Sequence, residues 1–431
     1  MSNNVKHNLY MFLNVVAIYF CLGLLASAVA QEQEPPIKKE VLSLEECIEI
    51  AKMNNASIIQ AKNVLKQHEL KVRQQYANYF PQVNLSSYIK ETKEAHELYI
   101  DSYAHNVKIE QDIFTGGENS SLVEQAKADL AEKEYAYKEI ESDEILDVKD
   151  AYYQIQKEKR LIEVRKEIVE RRKSNADLIQ LLYNAGREKK ANLLRAESEI
   201  AKAEFDLSKE ENSLLIYKLK LNRAMGRQIS DALTTEGRLQ SIEFQSSLAE
   251  LIDETNEKRP ELKQQLAKIM AARAELKEAR SGLLPTLGLE TNLGIKDARF
   301  AAYEDYWDTQ LKLTMPIFDG FLARSEVKEA EIEVNNLQIE FGDLENEIIV
   351  EVNEAYVNIS NAQKQLSVSE QALRATQVRA DLTRLEYKQG TLSYSILEDD
   401  ELDLADAELD VVDALYELNL KKAELDNTIG R

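Results

Sequence analysis

With 77 acidic against 54 basic side chains in 431 residues and a formal net charge of −23, the chain repels nucleic acid and anionic headgroups, both of which are bound through Lys and Arg. Two cysteines and four histidines, none at metal-ligand spacing, leave little for disulfide, metal or nucleophilic chemistry. Only 13 glycines and 6 prolines interrupt the chain, so long unbroken elements are expected.

The first element is a leader. Lys6 is the only Lys, Arg, Asp or Glu in residues 1–30, an apolar run extends from Met11, and it closes on Ala28-Val29-Ala30 before Gln31. A basic start, an apolar middle and a small-residue end predict a secretory signal peptide over 1–30. An uncleaved anchor is the competing reading, because the run is nearly long enough to span a bilayer. Cys21 lies inside the run without small residues before it and does not suggest lipid attachment. Residues 31–41, with Pro35-Pro36, are expected to form a flexible leader. Export would leave Cys47 as the only thiol; it falls among Leu44, Ile48 and Ala51, at a position expected to be buried.

From residue 42 the chain runs through one pattern twice. Pro285 follows Pro81 by 204 residues, and the same shift lays Ile317-Phe318 on Ile113-Phe114, Gly320 on Gly116, Ala355-Tyr356 on Ala151-Tyr152, Gly390 on Gly186 and Gly430 on Gly226. Rare residues do not fall into register by chance, so the sequence predicts a duplication, with copies at 42–226 and 248–431. Residues 227–247 between them are expected to form a partly ordered belt. Each copy should open with a helix and continue with two strands, at about 82–90 and 104–113 and again at about 286–295 and 306–315.

The strand expectation rests on period-2 alternation over nine to eleven residues. Leu287, Leu289, Leu293 and Ile295 share one face, as do Leu311, Leu313 and Met315 against Gln310, Lys312 and Thr314. The first copy offers Val83, Leu85 and Ile89, then Val107 and Ile109, set against His105 and Gln111. Such strands suit a membrane barrel, apolar outside and polar inside; a soluble hairpin packed on helices is the alternative. Four strands cannot close a barrel, and lipid does not tolerate an open edge, so membrane insertion would require several chains. The connections Glu91–Asp101 and Lys296–Asp305 are polar and suit surface loops. Phe300, Tyr303, Tyr306 and Trp307 suit an interfacial aromatic girdle or loop packing.

Each pair of strands precedes a very long helix, expected over 119–184 and 322–388. Ile145, Val148, Tyr152, Ile155 and Ile162 fall at 3- and 4-residue steps, matched in the second copy by Ile349, Val352, Tyr356, Ile359 and Leu366. A helix of about 65 residues is roughly 100 Å long and must be covered laterally. Asn184-Ala185-Gly186 and Lys388-Gln389-Gly390 end these helices with a left-handed glycine cap. Return helices follow at about 191–224 and 395–428. The paired Tyr152-Tyr153 are expected to pack in the stripe, and Arg195 and Glu197 to make helix-surface charge pairs.

These residues resemble the outer-membrane efflux protein (TolC) family from about Leu42 to Gly430. The marks are the opening Leu42–Asn55; Phe80-Pro81 and Leu284-Pro285, where the strands begin; Ile113-Phe114 and Pro316-Ile317-Phe318, where they end; and the tip Tyr183–Gly186 with Asn192–Glu197. The resemblance implies a mainly α fold with membrane β: long helical hairpins forming an α-barrel, plus four strands per chain of a trimeric twelve-stranded outer-membrane barrel. It further implies a homotrimer in outer-membrane lipid whose helical part lies in the periplasm. Such a duct passively conducts cargo from an inner-membrane transporter and a periplasmic adaptor, with no cofactor, metal or catalytic residue. The adaptor would dock on the tips, Ala185, Gly186 and Arg187 with Gln389, Gly390 and Thr391; these depart from the Val-Gly-Leu or Val-Gly-Thr common in the family. Counted from Gly390, the later of the two family gate aspartates falls on Asp399 and the earlier on apolar Ile396, so Glu398, Asp399 and Asp400, followed by Glu401, are the candidate gate. A solvated acidic face is the plainer alternative for them. A coiled-coil envelope protein without transport activity is the competing functional reading, and it leaves the alternating strands without a use.

Overall fold

The computed structural model describes residues 41–92, 100–297 and 304–431. The expected signal peptide at 1–30, residues 31–40 of the leader, most of both strand connections, and Phe300 and Tyr303 lie outside them. In chain order the elements are α1 (Leu44–Asn54), α2 (Ala56–Tyr76), β1 (Gln82–Thr92), β2 (Ile100–Phe114), α3 (Glu118–Asn184) and α4 (Lys190–Ala224). The second series is α5 (Leu248–Lys258), α6 (Pro260–Ser281), β3 (Thr286–Asp297), β4 (Glu304–Thr314), α7 (Leu322–Gln389) and α8 (Tyr394–Thr428).

The two series start alike. Ser43 and Glu46 close a capping box on α1, and Ser247 and Glu250 close the same box on α5. One opening helix per copy was expected; each copy has two. Asn55 ends α1 and caps α2, its side chain accepting from the Ser57 and Ile58 amides. In the second copy Pro260 takes the first position of α6, where its missing N–H costs nothing. The ends of the return helices explain the breaks. Asn55 Nδ2 donates to the Ala224 carbonyl at 2.9 Å, and a Cβ on Gly226 would lie 2.1 Å from the Asn54 carbonyl oxygen. Gly430 stands against Arg259 in the second copy, less tightly, where a Cβ would lie 3.2 Å from the Arg259 nitrogen and Cα. Each return helix therefore abuts the break in its opening helix.

α3 and α7, of 67 and 68 residues, are uninterrupted. α3 packs on α2, α4, α6 and α8, and α7 on α6 and α8. The first copy's core gathers Cys47, Val148, Tyr152, Ile155, Leu221 and Met225. The second gathers Leu251, Ile348, Val352, Ile359, Leu418 and Leu425. Cys47 is fully buried, and burial pushes its thiol up to about 12, so it is inert at neutral pH. The segment between the copies is tied to both. The Leu42 N–H donates to the Thr234 carbonyl at 2.9 Å and the Leu42 carbonyl accepts from the Glu236 N–H at 3.1 Å, while Gln156 donates to Thr235 Oγ1 at 3.0 Å. Tyr152 and Lys159 donate to the Glu236 and Thr235 carbonyls. Farther along, Asn419 Nδ2 donates to Gln240 O at 2.9 Å, and Phe244 meets Tyr356 edge-on at 5.9 Å.

The strands form one antiparallel sheet in the order β1-β2-β3-β4. Its middle pair, β2 and β3, joins the two copies, with Glu110 opposite Glu290 and a bulge between Asp112 and Phe114.

Candidate channel wall, tips and gate

Residues directly opposite in an antiparallel ladder share a face. Leu85, Val107, Leu293 and Trp307 line up across all four strands, as do Val83, Ile109, Thr291 and Thr309. Leu287 with Leu313 and Leu289 with Leu311 extend this face, whose aliphatic side chains are largely exposed on β1 and β4. The opposite face is polar and internally bonded: Lys108 reaches Glu110 at 2.6 Å and Glu290 at 3.4 Å. Asn292 donates to Asp308 at 3.1 Å. Two expectations change here. His105 and Gln111 lie on the apolar face with Val107 and Ile109, because all four are odd-numbered in one strand; the polar partners are Asn106, Lys108 and Glu110. Tyr306 and Trp307, grouped as one girdle, fall on opposite faces: Trp307 is exposed on the apolar side and Tyr306 packs over Gly294.

Pro81 stands just before β1 and Pro285 just before β3; Phe114 closes β2, and Phe318 follows β4 in irregular chain. At the other end of the molecule, Gly186 and Gly390 take φ of 70° and 78°, and each allows the next amide to bond back to a helix carbonyl, Arg187 to Leu182 and Thr391 to Glu386. The two tips touch. The Tyr387 hydroxyl donates to Glu188 at 2.7 Å, and Arg187 Nη2 lies 3.0 Å from where a Cβ on Gly390 would be. Ala185, Gln389 and Thr391 are exposed beside them.

The acidic cluster is not uniform. Glu398 is 2 % exposed and pairs with Arg195 of α4 at 2.9 Å. Burial pushes its carboxyl up against the opposing pull of Arg195. Asp400 is held by Arg379 at 3.0 Å and by the Thr383 hydroxyl, both on α7. Glu401 is equally buried and accepts from Arg384 Nε at 3.0 Å. Asp399 alone of the four is exposed, with no ion-pair partner among the described residues. Arg195, expected in a local surface pair, therefore spans the two hairpins instead. A further tie was not anticipated: Arg171 of α3 forks onto both carboxylate oxygens of Glu408 on α8.

Higher on α3, Glu158 is nearly buried, and desolvation, aided by Glu210 across on α4, pushes its carboxyl from 4.5 up to about 7. The folded state thus holds this proton more tightly than the unfolded chain. The resulting stability is fully present below about 4.5 and is lost as pH rises through about 7, a change on the order of 3 kcal/mol. Thermal unfolding of the wild type and Glu158→Gln across pH 4 to 8 checks this. The variant should lose that part of the slope, and identical slopes would refute the assignment.

Residues 47–227 and 251–431 both match the sequence profile of a family described as outer membrane efflux protein. Over 322 residues the chain is 25% identical to protein CyaE of Bordetella pertussis, covering 72% of this chain and 68% of that one. Its fold is similar to solved channels at low identity. CusC matches at a TM-score of 0.81 with 17% identity, over 93% of this chain and 95% of that one. The outer membrane protein VceC of Vibrio cholerae matches at 0.77 with 18% identity, over 90% and 96%.

Proposed function

The chain belongs to the outer membrane efflux protein family, and on that premise we propose that it is the passive exit duct of a tripartite efflux or type I secretion system. Three copies would build one twelve-stranded barrel in the outer membrane, each supplying β1 to β4, with the helices continuing as a tunnel through the periplasm. The observation that carries this reading is the sheet itself: one apolar face, one polar bonded face and, among the described residues, no strand on the outer edge of β1 or β4. Lipid would meet the first face and cargo the second, and neighbouring chains would satisfy the edges. A periplasmic adaptor, linked to an inner-membrane transporter, would dock on Ala185, Gly186 and Arg187 and on Gln389, Gly390 and Thr391.

The gate reading narrows to one side chain. Glu398 and Asp400 spend their charge on arginines within the chain. Asp399 is left to set the potential where three copies of the second hairpin converge, favouring cations over anions. In planar bilayers, protein extracted from the outer membrane should form cation-selective pores. Asp399→Asn should reduce that selectivity severalfold, as much as Asp399→Asn combined with Asp400→Asn. A protein that forms no pores would refute the duct, while pores indifferent to Asp399 would refute the gate alone.

A further inference from the structure

We infer the register and packing of the joint between neighbouring chains, resting on the three-chain assembly proposed above. The chain already contains one copy-to-copy joint: β2, the second strand of the first copy, pairs with β3, the first strand of the second copy. Closing the barrel asks β4, the second strand of the second copy, to pair with β1, the first strand of another first copy. The inner joint is thus a template for the outer one, with every residue displaced by 204.

The two joints differ in the lone chain as a filled site differs from an empty one. Ser281 is buried at the inner joint, at 6 % exposure, whereas its counterpart Ala77 is exposed. Ala274 is 0 % exposed and its counterpart Leu70 is 53 %. Gly116 has φ of 65° and is crowded: a Cβ there would stand 2.9 Å from both Leu284 Cβ and the Ser281 carbonyl. Gly320 repeats the conformation at 71°, yet nothing of its own chain lies within 4 Å. Displacing the inner contacts by 204 puts Phe80 and the Ala77 carbonyl of the partner subunit against Gly320. The left-handed φ selects glycine at 320 as it does at 186; the empty space beside Gly320 is the room that a second copy would fill.

The same displacement fixes the ladder. Glu110 lies opposite Glu290, so Thr314 lies opposite Ser86 of the partner subunit; Gln111 opposite Leu289 becomes Met315 opposite Leu85 of the partner subunit. Apolar then meets apolar on the lipid side, and the widely exposed Leu85 and Met315 cover one another. Pro316 takes the place of Asp112, at the bulge, where a missing N–H is tolerated.

Ser86→Cys with Thr314→Cys tests this, in full-length protein in outer membranes, since both replacements are small and Cys47 is buried. Oxidation should convert the protein to covalent trimers on non-reducing gels, and each single variant should give none. Ser86→Cys with Lys312→Cys keeps the same face but shifts the register by two residues, and should crosslink at least tenfold less. A stronger crosslink from the shifted pair, in protein whose native mass is that of a trimer, overturns the register while the assembly stands. A monomeric native mass overturns the assembly reading and the joint with it.

Discussion

Gly226→Ala is expected to leave almost no folded protein, whereas Gly186→Ala should cost only about 1–2 kcal/mol. The two glycines have nearly the same backbone, φ of 68° and 70°, so the left-handed penalty for a Cβ is common to both. They differ in what the Cβ meets. At Gly186 nothing lies within 4 Å; at Gly226 the Asn54 carbonyl oxygen would be 2.1 Å away and the Asn55 nitrogen 2.7 Å. Both are backbone atoms at the α1–α2 break and cannot swing aside as a side chain would. Relief requires α4 to draw back from the α1–α2 break, losing the Asn55–Ala224 hydrogen bond and the packing of Leu221 and Met225 around Cys47 and Ala51 of α1. We place that cost at roughly 4 kcal/mol or more, in the range of severe core disruption. Membrane-extracted yield and thermal unfolding of the two variants, side by side, measure the difference. Equal stabilities would mean that the end-to-end junction of α2 and α4 does not constrain the fold.

Arg171→Met is expected to release the hairpins from one another. The guanidinium makes a two-pronged contact with Glu408 and lies 3.8 Å from buried Glu401, joining α3 of the first copy to α8 of the second. Removing it strands a carboxylate that is 13% exposed at a helix interface. Breaking a buried pair costs about 3–5 kcal/mol, and residual solvent contact brings this toward 2–3. If the closed tip depends on the tie, that energy favours the parted state by about 30- to 150-fold. Single-channel recordings should show longer or larger openings. Arg171→Glu with Glu408→Arg restores the pair with its ends exchanged and should recover most of the wild-type behaviour. Matching recordings from Arg171→Met and the wild type would show that the tie holds nothing shut.

Much of the architecture was legible because its signals are local and repeated. Gly186, Gly390, Pro81 and Pro285 are rare residues at fixed spacing, and an unbroken 3- and 4-residue stripe can only be a long helix. The strands were located to within a few residues by their alternation. The breaks at Asn55 and Arg259 have no decisive local signal, although Asn55 and Pro260 are helix-start residues, because apolar positions continue on both sides and only the distant Gly226 and Gly430 show why the helix must stop. On β2 the expectation sets His105 and Gln111 against Val107 and Ile109, although the parity of one strand puts all four on the same face. The acidic cluster was found as a composition, but its pairing could not be read. Arg195 and Glu398, or Arg171 and Glu408, lie far apart in the chain, and nothing near either residue names the other. That pairing separates Asp399, free to face solvent, from Glu398 and Glu401, whose charges are already balanced.

The belt at Tyr152, Gln156 and Lys159 has a mechanical consequence. It fastens α3 about 30 residues above the tip, which at 1.5 Å per residue leaves an arm of about 40–45 Å below the fastening, packed on α4 and α8. With no proline or glycine in that stretch, the arm turns as one rod, and a tilt of about 10° carries its end roughly 7 Å sideways. If the tips form the aperture proposed above, it can be worked by leverage, with the backbone hydrogen bonds of the helices left intact.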